Sequence, residues 1–215
     1  NKFLSHIREV DAIVHIVRCF ENENVIHVNN KVDPKANIEI IETELILKDI
    51  ETLIARIQKT EKGLKSGDKK VKDEYASYLD LKKHLESGRL AKYFINDYKK
   101  THAPDDYKHL HELNLLTDKH VLYVANVDDK NINGNEYSKI VQEIAQKEGE
   151  EAIVLSVEIE SELSQLEADE KAEFLKELGI EEPGLDKLIH TAYHLLGLKT
   201  FFTAGEKEVH AWTFV

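Results

Sequence analysis

Two short stretches of this chain place polar groups where a buried strand would end, and the first suits the reading of a nucleobase. The first is HVLYVANVDD, residues 120–129. Its apolar run, 121–125, stops at Asn126 and passes through Val127 and Asp128 to Asp129. An Asn side chain both donates and accepts hydrogen bonds, whereas a carboxylate only accepts. Asn126 can therefore tie neighbouring loops together, while Asp129 accepts from base N–H groups. The second stretch is Ser156-Val157-Glu158, which closes another apolar run at 152–156.

The flanking elements predict how these residues are held. A buried parallel strand delivers its last residue to the carboxyl edge of a sheet, where open α/β folds bind their ligands. Residues 136–147 read as a helix with Ile140, Val141 and Ile144 inward, after the Asn133-Gly134-Asn135 turn. Strand, helix and strand then have βαβ spacing, which brings both polar ends to one edge. Upstream, DAIVHIVRC at 11–19 reads as a central strand. Cys19 falls within this apolar run, so a buried, inert thiol is expected rather than a nucleophile. His15 and His27 lack partners at metal-ligand spacing and read as structural or solvated.

Between the first strand and the base-reading stretch lies a helical region. After a 20–34 loop with a Val-Asp-Pro turn, Asn37 reads as a helix cap. Apolar residues recur at 38, 41 and 45, then at 46, 50, 53 and 57, a helical rhythm with one stutter. GLKSGDKK at 63–70 breaks it, and Val71, Tyr75, Tyr78, Leu81 and Leu85 resume it as far as Ser87-Gly88. Two long helices about a short turn make an antiparallel hairpin. Its narrow apolar stripes predict a protruding element that buries little beyond its own seam. Residues 90–115 return through a third helix, the polar THAPDDYKH stretch and a leucine-rich approach. His102, His109 and His111 cluster there without a carboxylate arrangement, so no metal site is read. Further helices are expected at 161–166, 169–178 and 185–196, and a β-hairpin at 200–215.

Charge narrows the partners. The net charge is −12, which argues against a general nucleic-acid coat and against DNA as a partner. The distribution is uneven. Residues 56–100 hold 13 Lys and Arg against 7 Asp and Glu, leaving +6 there and −18 elsewhere. That pattern fits a basic projection on an acidic body. No apolar run approaches the ~20 residues of a membrane span, and the single cysteine fits a reducing, cytoplasmic setting. The chain contains no methionine and opens on a helical approach at 1–8, so a piece of a longer protein is expected.

These segments together resemble the YchF or Obg-like ATPases, a branch of the P-loop translation-factor GTPases. The phrases that carry the resemblance are NKFLSHIREVDAIVHIVRCFE, VDPKANIEIIETELILKDIE, LYVANV, SVEIESEL and GLKTFFTAGEKEVHAWTF. It implies an α/β fold: a partial, Rossmann-like P-loop NTPase with a mostly parallel sheet. An antiparallel coiled-coil hairpin would interrupt that domain, and the start of a β-grasp TGS domain would follow. The implied boundaries are 1–36 and 116–198 for the nucleotide-binding domain, 37–115 for the hairpin and 199–215 for the TGS start.

The resemblance also implies a division of labour. The phosphate-binding loop, the switch threonine and the Asp-x-x-Gly segment would precede Asn1, and with them the Mg²⁺ ligands. No catalytic or metal-ligating residue is then expected in this chain, which alone would neither bind a triphosphate tightly nor hydrolyse it. What remains is base recognition by Asn126, Val127 and Asp129, with Ser156, Val157 and Glu158 as a second base-contacting loop. Guanine readers of the wider class carry Asn-Lys-x-Asp. Here Val127 replaces the Lys, which turns the expected cofactor towards ATP. The family's usual acid is Glu, so Asp129 leaves GTP open. The implied parent is a ribosome-associated ATP-hydrolysing switch, with the ribosome or its RNA meeting the basic hairpin and the TGS domain. The alternative from a different class is a non-catalytic acidic α/β scaffold that presents a helical hairpin. A Gly-rich loop followed by Lys-Ser/Thr in the upstream sequence separates the two.

Overall fold

The computed structural model describes residues 7–22 and 32–214. His27 and most of the predicted 20–34 loop lie outside the described residues. The chain divides into two compact units, one comprising 38–119 with the residues up to Asp11, the other 12–37 and 120–215. It is an α/β fold with a parallel three-stranded sheet, long helices and a small antiparallel hairpin.

The sheet belongs to the second unit. Strands β1 (Ala12–Arg18), β2 (His120–Asn126) and β3 (Glu151–Leu155) run parallel in the order β1-β2-β3. Among the described residues β2, not β1, is the central strand, which corrects the sequence expectation. Both runs are rich in β-branched and aliphatic residues, the composition of a buried parallel strand. Burial separates them: Leu122 to Ala125 are buried, whereas Val14 is 46% and Ile16 58% exposed. Helix α5 (Glu136–Glu148) connects β2 to β3, as the βαβ spacing predicts. Its Gly149 stop adopts a positive φ of 71°, the left-handed C-cap.

Register fixes the edge that matters. Arg18 lies opposite Asn126, and Asn126 opposite Leu155, so the three strands end level. One face of β2 and β3 (Leu122, Val124, Ile153, Leu155) packs against Leu188, Ala192 and Leu195 of a helix at Gly184–Leu195. Between β3 and that helix run two acidic helices, Val157–Leu163 and Ala168–Leu178. In chain order these three are α6, α7 and α8. Strands β4 (Lys199–Ala204) and β5 (Val209–Phe214) form the expected antiparallel hairpin, with Phe201 opposite Trp212.

The first unit is helical. Helix α1 (Pro34–Gly63) runs unbroken for 30 residues, through the stutter. It starts three residues before the predicted cap at Asn37. Asp33 caps it instead, accepting from the Ala36 amide at 3.0 Å, with Pro34 in the first helical position. Helix α2 (Lys69–Glu86) follows a turn at Gly67, whose φ of 75° few other residues adopt. Helices α3 (Ala91–Lys99) and α4 (Pro104–His111) complete the unit. The polar THAPDDYKH stretch is thus largely helical.

The expectation of a seam-only hairpin is corrected too. Ile46 and Leu53 of α1 and Tyr78, Leu81 and Leu85 of α2 share one core with Ala91, Ile95 and Leu110. The seam is therefore widened at its base by α3 and α4. Towards the turn this stops, and no residue from 58 to 76 is buried.

One buried carboxylate organises that base. Asp49 occupies the stripe between Ile46 and Leu53, and its side chain is 0% exposed. It accepts from the Leu116 and Thr117 amides at 2.8 Å each and from the Thr117 hydroxyl at 2.7 Å. Thr117 Oγ1 in turn accepts from the Ala91 amide at 3.0 Å, capping α3, whose Leu90 cap has no polar side chain. Arg8 stands 4.0 Å from Asp49. A lone buried carboxylate would be costly; three donors and a nearby guanidinium offset part of that cost, and burial still raises the Asp49 pKa.

The histidines of this unit go separate ways. His109 is buried and bonded to Ser77 Oγ at 2.7 Å, His111 pairs with Asp118 at 3.3 Å, and His102 stacks on Tyr98. Burial lowers the His109 and His84 pKa values.

Candidate functional site

The level ends of β1, β2 and β3 are held together by hydrogen bonds that use up much of the local main chain. The Cys19 amide donates to the Asn126 carbonyl at 2.8 Å, and the Val127 amide donates to the Leu155 carbonyl at 3.0 Å. Side chains then extend these ties past the strands. Asn126 Oδ1 accepts from the Val157 amide at 3.0 Å, joining the end of β2 to the start of α6. Asn126 thus ties a strand end to a helix start, where a tie between loops was expected. Its Nδ2 finds no acceptor among the described residues.

Ser156, Val157 and Glu158 differ from their expected form. They are not a loop but the N-cap and first turn of α6, which begins four residues earlier than predicted. Ser156 is 4% exposed and caps the helix by accepting from the Ile159 amide. The spacing of Ile159 and Leu163, both buried, is the helical signal that the run of glutamates conceals. Val157 and Glu158 are exposed beside the cap.

The NVDD segment separates its two acids. Asp128 accepts from Asn131 Nδ2 at 2.6 Å and so shapes the 3-10 turn Asp129–Asn131. Asp129 is exposed, and no hydrogen bond or ion pair engages its carboxylate among the described residues. Val127 is 2% exposed, and its amide donates to the Leu155 carbonyl.

Three supporting side chains have roles beyond the predicted Asn133-Gly134-Asn135 turn. Asn135 caps α5 by accepting from the Ser138 amide at 2.9 Å, and donates to the Cys19 carbonyl at 2.7 Å. Gly134 before it has φ 101°, and a Cβ there would lie 2.9 Å from Ser138 Oγ. Arg18 turns back on its own strand end, donating to the Phe20 carbonyl at 3.0 Å and the Asn22 carbonyl at 3.3 Å. Glu160 accepts from the Gly184 and Leu185 amides. An Asn three residues before a Ser at a helix start is a legible capping signal, and Arg18 reaches carbonyls only two and four residues on; Glu160 depends on tertiary placement. Cys19 is buried, and burial pushes its thiol up to about 12.

The edge therefore offers the Asn126 side-chain NH2 as a donor and the Asp129 carboxylate as an acceptor, groups that a planar heterocycle can pair with. Among the described residues no group of three or more His, Cys, Asp or Glu is placed to hold a metal ion.

No family model matches the chain. The ribosome-binding ATPase YchF of Bacillus subtilis is 48% identical over 217 residues, which cover 100% of this chain and 58% of that protein. The chain belongs to the YchF family. The ribosome-binding ATPase YchF of Escherichia coli O157:H7 is 42% identical across 99% of the chain and 57% of its own length. A solved YchF GTPase from Schizosaccharomyces pombe superposes with a TM-score of 0.82 at 30% identity, covering 100% of this chain and 57% of that one. The chain thus spans under three-fifths of the YchF relatives it matches. No described helix is long and apolar enough to cross a membrane.

Proposed function

We propose that this chain is the base-reading part of a cytoplasmic, ribosome-associated switch protein that binds and hydrolyses ATP. The observation that carries the reading is the Asn126–Val157 hydrogen bond, which makes one edge of the ends of β2 and β3. The names of the bacterial relatives, ribosome-binding ATPases, supply the class. In this reading Asn126, Val127 and Asp129 face the base from one side and Ser156, Val157 and Glu158 from the other. The Val127 carbonyl, whose own amide is occupied, accepts from the adenine amino group.

Phosphate and Mg²⁺ binding are assigned to the part of the relatives that lies outside the matched stretch. The sequence here holds no Gly-x-x-x-x-Gly-Lys-Ser/Thr run to cradle phosphates. The helical unit is assigned to ribosomal RNA. Lys59, Lys62, Lys65, Lys69, Lys70 and Lys72 fall within its unburied 58–76 stretch. The segment from 199 onward is read as the start of a TGS domain.

Titration calorimetry of the complete protein tests nucleotide choice. ATP is expected to bind at least several-fold, about 1 kcal/mol, more tightly than GTP. Equal or reversed affinities would return the site to guanine through Asp129.

A further inference from the structure

The start of α6 is anchored from two sides, and only one anchor is Asn126. Helix α8 begins after Pro183, an N-cap with no side chain able to accept a hydrogen bond. Four first-turn amides of any helix lack intrahelical partners and need an acceptor from elsewhere. Glu160, one helical turn beyond Ser156, supplies it. One carboxylate oxygen accepts from the Gly184 amide at 2.6 Å and the other from the Leu185 amide at 3.1 Å. A carboxylate at a helix N-terminus is further favoured by the helix dipole. The fit also requires Gly184, where a Cβ would lie 2.7 Å from Leu155 Cβ and 2.9 Å from Glu160 Oε1.

This clamp links α6 to a fixed body. Leu188, Ala192 and Leu195 seat α8 on the β2–β3 face, while Ile159 and Leu163 hold α6 from its buried side. Through Glu160 the first turn of α6 takes its orientation from α8; through Asn126 it takes it from β2. We infer that Glu160 is a positioning residue for base recognition: it sets Ser156, Val157 and Glu158 against the nucleobase without touching it. The inference rests on the base-site reading above.

The test uses the complete protein, with ATP, GTP and inorganic tripolyphosphate as calorimetric probes. In Glu160→Ala, ATP affinity is expected to fall about tenfold and the ATP-to-GTP ratio to move towards one, while tripolyphosphate binding is unchanged. Hydrogen exchange at the Gly184 and Leu185 amides is expected to quicken. Glu160→Gln, which keeps the shape and one acceptor, is expected to fall between wild type and Ala, and serves if the Ala variant does not fold. ATP affinity and ratio at wild-type values in both variants would overturn the inference. So would an equal loss for ATP and tripolyphosphate, which marks general destabilisation. Failure of the base site itself looks different: the wild type would then bind ATP no better than tripolyphosphate.

Discussion

Asn126 Oδ1 lies 3.0 Å from the Val157 amide, although 31 residues separate them in the chain. Their strands are neighbours, and Asn126 pairs in register with Leu155, two residues before Val157. One side-chain acceptor thus converts two strand ends into one surface. With that amide occupied by Asn126 and the Val127 amide by Leu155, the surface is short of main-chain donors. On the proposed reading such an edge takes the amino group of adenine, which needs an acceptor, and leaves Asp129 to serve guanine.

Asp129→Asn separates these two uses. The carboxylate can accept from two guanine N–H groups at once, and an amide cannot. In the complete protein GTP affinity is expected to drop by about tenfold or more, with ATP affinity changed less than about threefold. Competition binding with both nucleotides checks this, and an equal loss for the two would remove Asp129 from base selection.

The basic stretch near the helical turn makes an electrostatic prediction. Reversing Lys69, Lys70 and Lys72 to Glu is expected to weaken ribosome association at low salt and to flatten its dependence on salt concentration. Sedimentation with ribosomes over a salt series reads both. An unchanged curve would reduce these lysines to a solvated face.

Asp49 should dominate the stability of the helical unit. Its replacement by Ala leaves the Leu116 and Thr117 amides and the Thr117 hydroxyl without their acceptor. A loss of about 2–4 kcal/mol is expected in denaturant unfolding, against less than ~0.5 kcal/mol for an exposed carboxylate such as Glu51. Comparable midpoints for the two variants would refute the role given to Asp49.

The buried histidines give the same unit a pH dependence. Burial lowers the pKa of His109 and of His84, so the folded state binds fewer protons than the unfolded state near pH 6.5. Their contribution is present above the unfolded value and is lost as pH falls from there through the lowered folded values. Stability should decline on acidification below about pH 6.5, and His109→Gln should make that decline shallower. Chemical denaturation at several pH values reports it, with a flat profile in the wild type as the contrary result.

How much of this was legible follows from how local each signal is. The strand that stops on Asn126 and the helix that links it to β3 could be read directly, because both depend on periodicity within a few residues. The start of α6 could not, since Glu158, Glu160 and Glu162 mask the Ile159–Leu163 spacing. Asn37 drew attention from Asp33-Pro34, the true helix start, because both are good cap signals. Asp49 sits where the apolar stripe stutters, and its meaning depends on Thr117, 68 residues away. The same holds for Glu160 and Gly184. Polar residues whose partners lie on another element are the part that sequence pattern does not carry.

The central claim is that Asn126 builds a base-reading edge. Its most direct test is the affinity of the complete Asn126→Ala protein for ATP and for tripolyphosphate. At least a tenfold, about 1.4 kcal/mol, loss is expected for ATP with tripolyphosphate unaffected. Wild-type ATP affinity, or a matching loss for both ligands, would contradict it.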